Sequence, residues 1–189
     1  MKKVILVCGS PRKDGNTMTV LKACAQEIES RGVQAEIISI GGMDVNACLA
    51  CPVCRAGGFN CVRQDGANAL FAKIAAADGL IVAAPVYFGP ARGDMMNFLQ
   101  RLSMASRKNG NFLENMVGGP IAVARRGGHT ATIQEMLMFC FICGMTVPGS
   151  TYWNMVVARE KGEAEQDREG MQTVLTFAGR VAELVEKLR

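Results

Sequence analysis

Val4-Ile5-Leu6-Val7-Cys8-Gly9-Ser10-Pro11-Arg12-Lys13-Asp14-Gly15-Asn16-Thr17 is the stretch on which the fold turns. Five uninterrupted apolar residues suit a parallel strand buried on both faces, since an antiparallel surface strand would alternate. Gly9, Pro11 and Gly15 then break the run. After them Val20, Leu21, Cys24 and Ile28 recur at helical spacing and close near Gly32. The unit is strand, polar loop, helix.

The same unit recurs down the chain. Ile37–Ile40 reads as a second strand and Leu70, Phe71 and Ile74 as a second helix. Leu80–Ala84 reads as a third strand, followed by a helix opening near Pro90 and carrying Met95, Phe98, Leu99 and Leu102. Ile121–Ala124 gives a fourth strand, with a helix through Ile133, Met136, Leu137 and Cys140 that stops at Gly144. A short fifth strand is expected at Met145-Thr146-Val147, cut by Pro148, before a last helix from Met171 to Leu188. Apolar strands alternating with helices predict an α/β fold, a doubly wound five-stranded parallel sheet. Ligands of such sheets bind outside the carboxyl ends of the strands, near a switch in strand order.

The loop after the first strand suits a phosphate. Ser10, Asn16 and Thr17 offer donors, Arg12 a charged fork, and the helix start adds N–H groups and a positive dipole end. The spacing is neither a Walker A loop nor G-x-G-x-x-G. An ordinary capped βα loop, with Asn16 or Thr17 as N-cap, is the plain alternative.

Composition bounds the function. The chain has 189 residues, 49% apolar, and a net charge of +4 from 21 basic and 17 acidic residues. That length predicts a single domain over residues 1–189. No run of like charges marks a nucleic-acid arm. No apolar run reaches the ~18 residues of a membrane span, and the apolar start is too short for a signal peptide. A cytoplasmic protein without nucleic-acid or membrane partners is expected. One histidine, His129, rules out zinc sites built on several histidines.

Four of the eight cysteines fall together: Cys48, Cys51, Cys54 and Cys61, spaced C-x2-C-x2-C-x6-C. Three cysteines in seven residues cannot easily all find oxidised partners of good geometry. Soft thiolates converging on one centre select an iron–sulfur cluster or zinc, with free thiols in a loop as the alternative. Arg55 and Arg63 flank the run, and Gly57-Gly58 lets the chain fold back. The segment 41–64 after the second strand exceeds a usual βα loop of ~2–6 residues. Cys8, Cys24, Cys140 and Cys143 read mainly as packing residues.

Gly9-Ser10-Pro11-Arg12 followed by Gly15-Asn16-Thr17 resembles the phosphate loop of the NADPH-dependent FMN reductase family, within the flavodoxin-like fold. Pro85-Val86-Tyr87-Phe88-Gly89 resembles that family's flavin-ring loop. Arg125-Arg126-Gly127-Gly128-His129 stands where the family has a Gly-rich loop along the flavin's pyrimidine side. The cysteine run is similar to that of the iron–sulfur flavoproteins, which carry a compact motif for a [4Fe–4S] cluster. The resemblance implies FMN held by Ser10, Arg12, Asn16, Thr17, Pro85, Val86, Tyr87, Phe88, Gly89, Arg126, Gly127 and Gly128, and a cluster held by the four cysteines. Catalysis would then be borne by the flavin, with no catalytic side chain. NAD(P)H or a reduced ferredoxin would donate electrons to an acceptor the sequence does not name. A cluster-free NAD(P)H-dependent FMN or quinone reductase, or a flavodoxin-type carrier, is the alternative. The methionine-rich helix 90–104 and Trp153 point with the resemblance to a homodimer or tetramer.

Overall fold

The computed structural model describes residues 1–188 other than 52, 57, 58 and 60. The expected turn at Gly57-Gly58 therefore lies outside the described residues, as does the side chain of Arg55. Five parallel strands form one sheet: β1 (Lys3–Cys8), β2 (Gln34–Ser39), β3 (Gly79–Pro85), β4 (Val117–Ala124) and β5 (Met155–Val157). Their order is β2-β1-β3-β4-β5. Crossovers run one way from β1 to β2 and the other way from β3 onward, so the order switches beside β1.

Helices α1 (Asn16–Ser30) and α5 (Arg168–Leu188) cover one face, and α2 (Ala67–Ala75), α3 (Gly93–Lys108) and α4 (His129–Ile142) the other. Alternate strand residues feed the two cores. Val4 and Leu6 pack under α1 and α5, while Ile5 and Val7 pack under α2 and α3. Both sets are fully buried. This is why the strands read as unbroken apolar runs.

Two sequence expectations need correction. The fifth strand is Met155–Val157, not Met145–Val147. Thr146 makes only an isolated parallel bridge to Val117. Pro148 removes a donor and ends pairing there, and the chain returns to pair Met155–Val157 with Ala122–Ala124. Because β5 is so short, β4 has no strand neighbour on that side at Pro120, which is where a proline is tolerated. Asn154 Nδ2 instead donates to the Pro120 carbonyl at 3.2 Å. Secondly, Pro90 does not open a helix. It sits in a tight turn, and α3 begins at Gly93 behind the N-cap Arg92.

At the opposite edge, the Glu36 carboxylate on β2 is held between Lys3 at 2.6 Å and Lys73 at 2.7 Å. Among the described residues no helix is long and apolar enough to cross a membrane.

Candidate flavin cleft and cysteine pocket

At the carboxyl ends of the strands four loops enclose one cleft of ≈ 270 Å³. The loop after β1 brings Ser10, Arg12, Gly15, Asn16 and Thr17, and the loop after β3 brings Pro85, Val86 and Tyr87. The end of β4 adds Val123, Ala124 and Arg125, and the segment after β5 adds Ala158 and Arg159. Three arginines thus face one cleft.

The phosphate-suited loop is internally tied. Ser10 Oγ accepts from the Arg12 N–H at 3.2 Å, and the Gly15 N–H donates to the Arg12 carbonyl at 3.2 Å. The N-cap of α1 is Gly15, which has no side chain to cap with. The first helical N–H groups, those of Asn16 and Thr17, have no intrahelical acceptor and are free for an anion.

Asn16 serves differently from the sequence expectation. Its carboxamide faces the segment after β5. Nδ2 donates to the Glu160 carbonyl at 2.8 Å, and Oδ1 accepts from Gly162 at 3.1 Å and Ala164 at 3.3 Å. The backbone N–H of Asn16 is available to a ligand, while its side chain pins the 160–164 turn. That turn carries Arg159, whose N–H is fixed by Glu163 at 2.7 Å. Arg159 is a cleft residue that sequence reading missed, because no spacing links it to residues 10–17.

The loop after β3 is a tight hairpin. Val86 and Ala91 bridge antiparallel, the Tyr87 N–H donates to the Pro90 carbonyl at 2.9 Å, and Val86 N–H donates to Val123 at 2.9 Å. Helix α4 buttresses it. Thr132 Oγ1 donates to the Gly89 carbonyl at 3.1 Å, and the Glu135 carboxylate accepts from the Ala91 N–H. Tyr87 lines the cleft, whereas Phe88 and Gly89 form the tip. Phe88 is wholly exposed at φ 56°, a left-handed conformation uncommon for a bulky residue.

In the loop after β4 it is Arg125 that lines the cleft. Arg126 and Gly127 are exposed beside it. Gly128, at φ 90°, is the N-cap of α4. A Cβ there would meet Val86 Cγ1 at 2.6 Å and the Gly89 carbonyl at 3.0 Å, so a glycine is needed where the two loops touch. His129 is buried, with Nε2 3.1 Å from the Val156 carbonyl, which makes it a structural residue.

Cys48, Cys51, Cys54 and Cys61 all line a second, mainly apolar pocket with Leu49, Phe59, Val62, Arg101, Met104 and Ala105. A short 3-10 turn at Val53–Ala56 carries Cys54. Asn68 grips the far end of the segment. Its Oδ1 accepts from the Cys61 N–H at 3.3 Å, and its Nδ2 donates to the Cys61 carbonyl at 3.0 Å. Asn97 Nδ2 holds the near end through the Val45 carbonyl at 2.9 Å. Among the described residues no three of these side chains stand together as a finished coordination shell. The donor set nonetheless fits a soft-metal centre: four thiols on one pocket wall beside a buried cation. Elsewhere in the chain, burial pushes Cys24 and Cys140 up to about 12 and keeps them neutral.

The two sites share a boundary at Gly41. A Cβ on Gly41 would lie 2.0 Å from the Ser10 carbonyl oxygen, so the root of the cysteine segment rests directly on the phosphate-suited loop. Gly41→Ala is expected to lower stability by about 1–3 kcal/mol, as overpacking against fixed backbone does, and to weaken FMN retention with it. Thermal melting and flavin titration of the same preparation check both.

Comparison with known proteins agrees with this geometry. The model of the family described as NADPH-dependent FMN reductase matches residues 2–160. An iron–sulfur flavoprotein of Methanocaldococcus jannaschii is 32% identical, covering 99% of this chain and 99% of its own. An iron–sulfur flavoprotein of Methanosarcina thermophila is 34% identical over 99% of this chain and 97% of its own. Among solved structures, a WrbA-like flavodoxin from Agrobacterium tumefaciens superposes with a TM-score of 0.68 over 100% of both chains, at 18% identity, which shows the shared fold. A sheet of order β2-β1-β3-β4-β5 with these matches makes the chain a flavodoxin-like FMN-dependent oxidoreductase that belongs to the NADPH-dependent FMN reductase family, on the branch of the iron–sulfur flavoproteins.

Proposed function

We propose that residues 1–189 act as one unit that holds FMN in the cleft at the carboxyl ends of the strands and a [4Fe–4S] cluster on Cys48, Cys51, Cys54 and Cys61. The observation that carries the flavin site is the meeting of a bare helix N-terminus with Arg12, Arg125 and Arg159 around one cleft. When bound, FMN exchanges electrons in pairs or singly and an iron–sulfur cluster exchanges them singly, so together they connect two-electron and one-electron partners.

The chain's own residues bind and orient. The N–H groups of Asn16 and Thr17, the Thr17 hydroxyl and the Arg12 guanidinium receive the phosphate dianion, where charge and dipole act together. The 86–91 hairpin walls the ring and excludes water from it. Its anchors on Thr132 and Glu135 keep that wall in one position. Arg125 supplies positive charge beside a ring edge that becomes electron-rich on reduction. Arg126, Gly127 and Gly128 shape the floor of the same loop, and Phe88 and Gly89 its rim. NAD(P)H or a reduced ferredoxin is the donor in this reading, docking at the open edge beyond Tyr87.

A homodimer or tetramer is supported by the outer face of α4 rather than by helix 90–104, whose Met95 is buried and whose Met96 and Met104 are half-buried. Met138, Phe141 and Ile142 are exposed there, and Phe141 shares a groove with Tyr152 and Trp153, whose ring centroids lie 4.8 Å apart with the planes tilted by 45°. An apolar patch of this kind on a helix marks an association surface.

The test of the flavin site is FMN affinity. Arg12→Ala and Thr17→Ala are each expected to weaken binding by about 1–3 kcal/mol, the worth of a charge-assisted hydrogen bond. Equilibrium dialysis against FMN measures it, and wild-type affinity in both variants would place the phosphate elsewhere.

A further inference from the structure

We propose that Arg101 is a potential-setting residue of the cysteine centre: a fixed, buried positive charge beside Cys61 that favours the electron-rich form of whatever cluster the four cysteines hold. The inference rests on the cluster reading above and goes beyond it by naming what tunes the site.

Arg101 lies in the middle of α3 with its side chain 1% exposed. Nη1 and Nη2 pair with the Asp65 carboxylate, Nη2 at 3.0 Å, and Nη1 also reaches the Asn46 carbonyl at 3.3 Å. The guanidinium Cζ lies over the Phe71 ring, 5.8 Å from its centroid. Two of the three nitrogens are thus accounted for. The buried Nε–H has no hydrogen-bond partner among the described residues. Burying a donor without a partner is costly, and this one belongs to the one charged side chain that, among the described residues, lines the cysteine pocket. Arg63 has an equally orphaned Nε but does not line that pocket.

An arginine guanidinium keeps its charge even when buried, and here the Asp65 carboxylate pairs with it. Asp65 does not line the pocket. The pair therefore presents its positive end to the sulfurs and its negative end to the backbone N–H groups of Asn46 and Ala67, which bind it at 3.1 Å and 3.3 Å. Adding one electron to the centre, from a one-electron reductant that is itself oxidised, makes and breaks no bond and adds one negative charge. A nearby fixed cation and N–H donors toward the sulfurs stabilise that added charge and raise the reduction potential.

The test is an EPR-monitored redox titration of anaerobically reconstituted, FMN-loaded protein with dithionite, alongside iron and sulfide analysis. Three proteins are compared: wild type, Arg101→Lys, and Arg101→Gln combined with Asp65→Asn. The double variant removes both charges, so no ion is stranded in the interior. Arg101→Lys, which keeps the charge, should titrate close to wild type. The double variant should need a potential lower by a tenfold change in the reduced-to-oxidised ratio or more, which for one electron is 59 mV, with the iron content unchanged. A double variant that holds its cluster at the wild-type potential overturns the role of Arg101 and leaves the cluster reading standing. Wild-type protein that takes up no iron and sulfide overturns both.

Discussion

Cys51→Ala protein, reconstituted anaerobically, is expected to lose its iron while keeping its FMN. Wild type should hold about four irons per chain by the stoichiometry of a [4Fe–4S] centre. Cys51 sits between Cys48 and Cys54 on the wall of the pocket, so its loss opens one iron to solvent and oxygen. Among the described residues none of 48–61 lines the flavin cleft, so flavin absorbance should survive. Iron and sulfide analysis beside the visible spectrum separates the outcomes. Wild type that binds zinc and refuses iron would remove the cluster and leave a simple FMN reductase.

Asp65→Ala is expected to cost about 3–5 kcal/mol, because it leaves the Arg101 charge buried and unpaired, and to lower the Tm by roughly 10 °C. The same pair predicts a pH dependence. Burial alone would push the Asp65 carboxyl up, but Arg101 and the Asn46 and Ala67 N–H groups hold it below its ordinary value. A depressed folded pKa gives stability that is complete above the unfolded aspartate value, about 3.9. That stability is lost as pH falls through the folded value. Wild type should therefore weaken below about pH 4, whereas Asp65→Ala should show a shallower acid limb. Denaturant titrations from pH 3 to 7 measure both curves.

The first strand, its loop and α1 were legible because each rests on local chemistry: an apolar run, glycines at the turns, a helical period. The four cysteines were legible by spacing alone, and the structure places them on one pocket wall. β5 was not legible. Met145–Val147 and Met155–Val157 are both short and mainly apolar, and which of them pairs is decided by what β4, distant in sequence, leaves open. Asn16 lines the cleft, as its residue type suggests, but the long-range partners of its carboxamide at 160–164 carry no sequence mark. Arg101 did leave a signal. It falls on the same helical face as Phe98, Leu102 and Ala105, all buried, and a charge on an apolar stripe implies an interior partner.

The two rims of the sheet bear on how copies of this chain can associate. An open strand edge invites another strand to add to it. Here β2 carries a carboxylate clamped by two lysines, and β5 offers only three residues, one of them fully buried. Neither rim is a good template for continuing the sheet into a neighbour. Any association between copies is thereby steered toward contacts between helices, the kind that can close on themselves in small symmetric groups, and away from the open-ended stacking that leads to fibres.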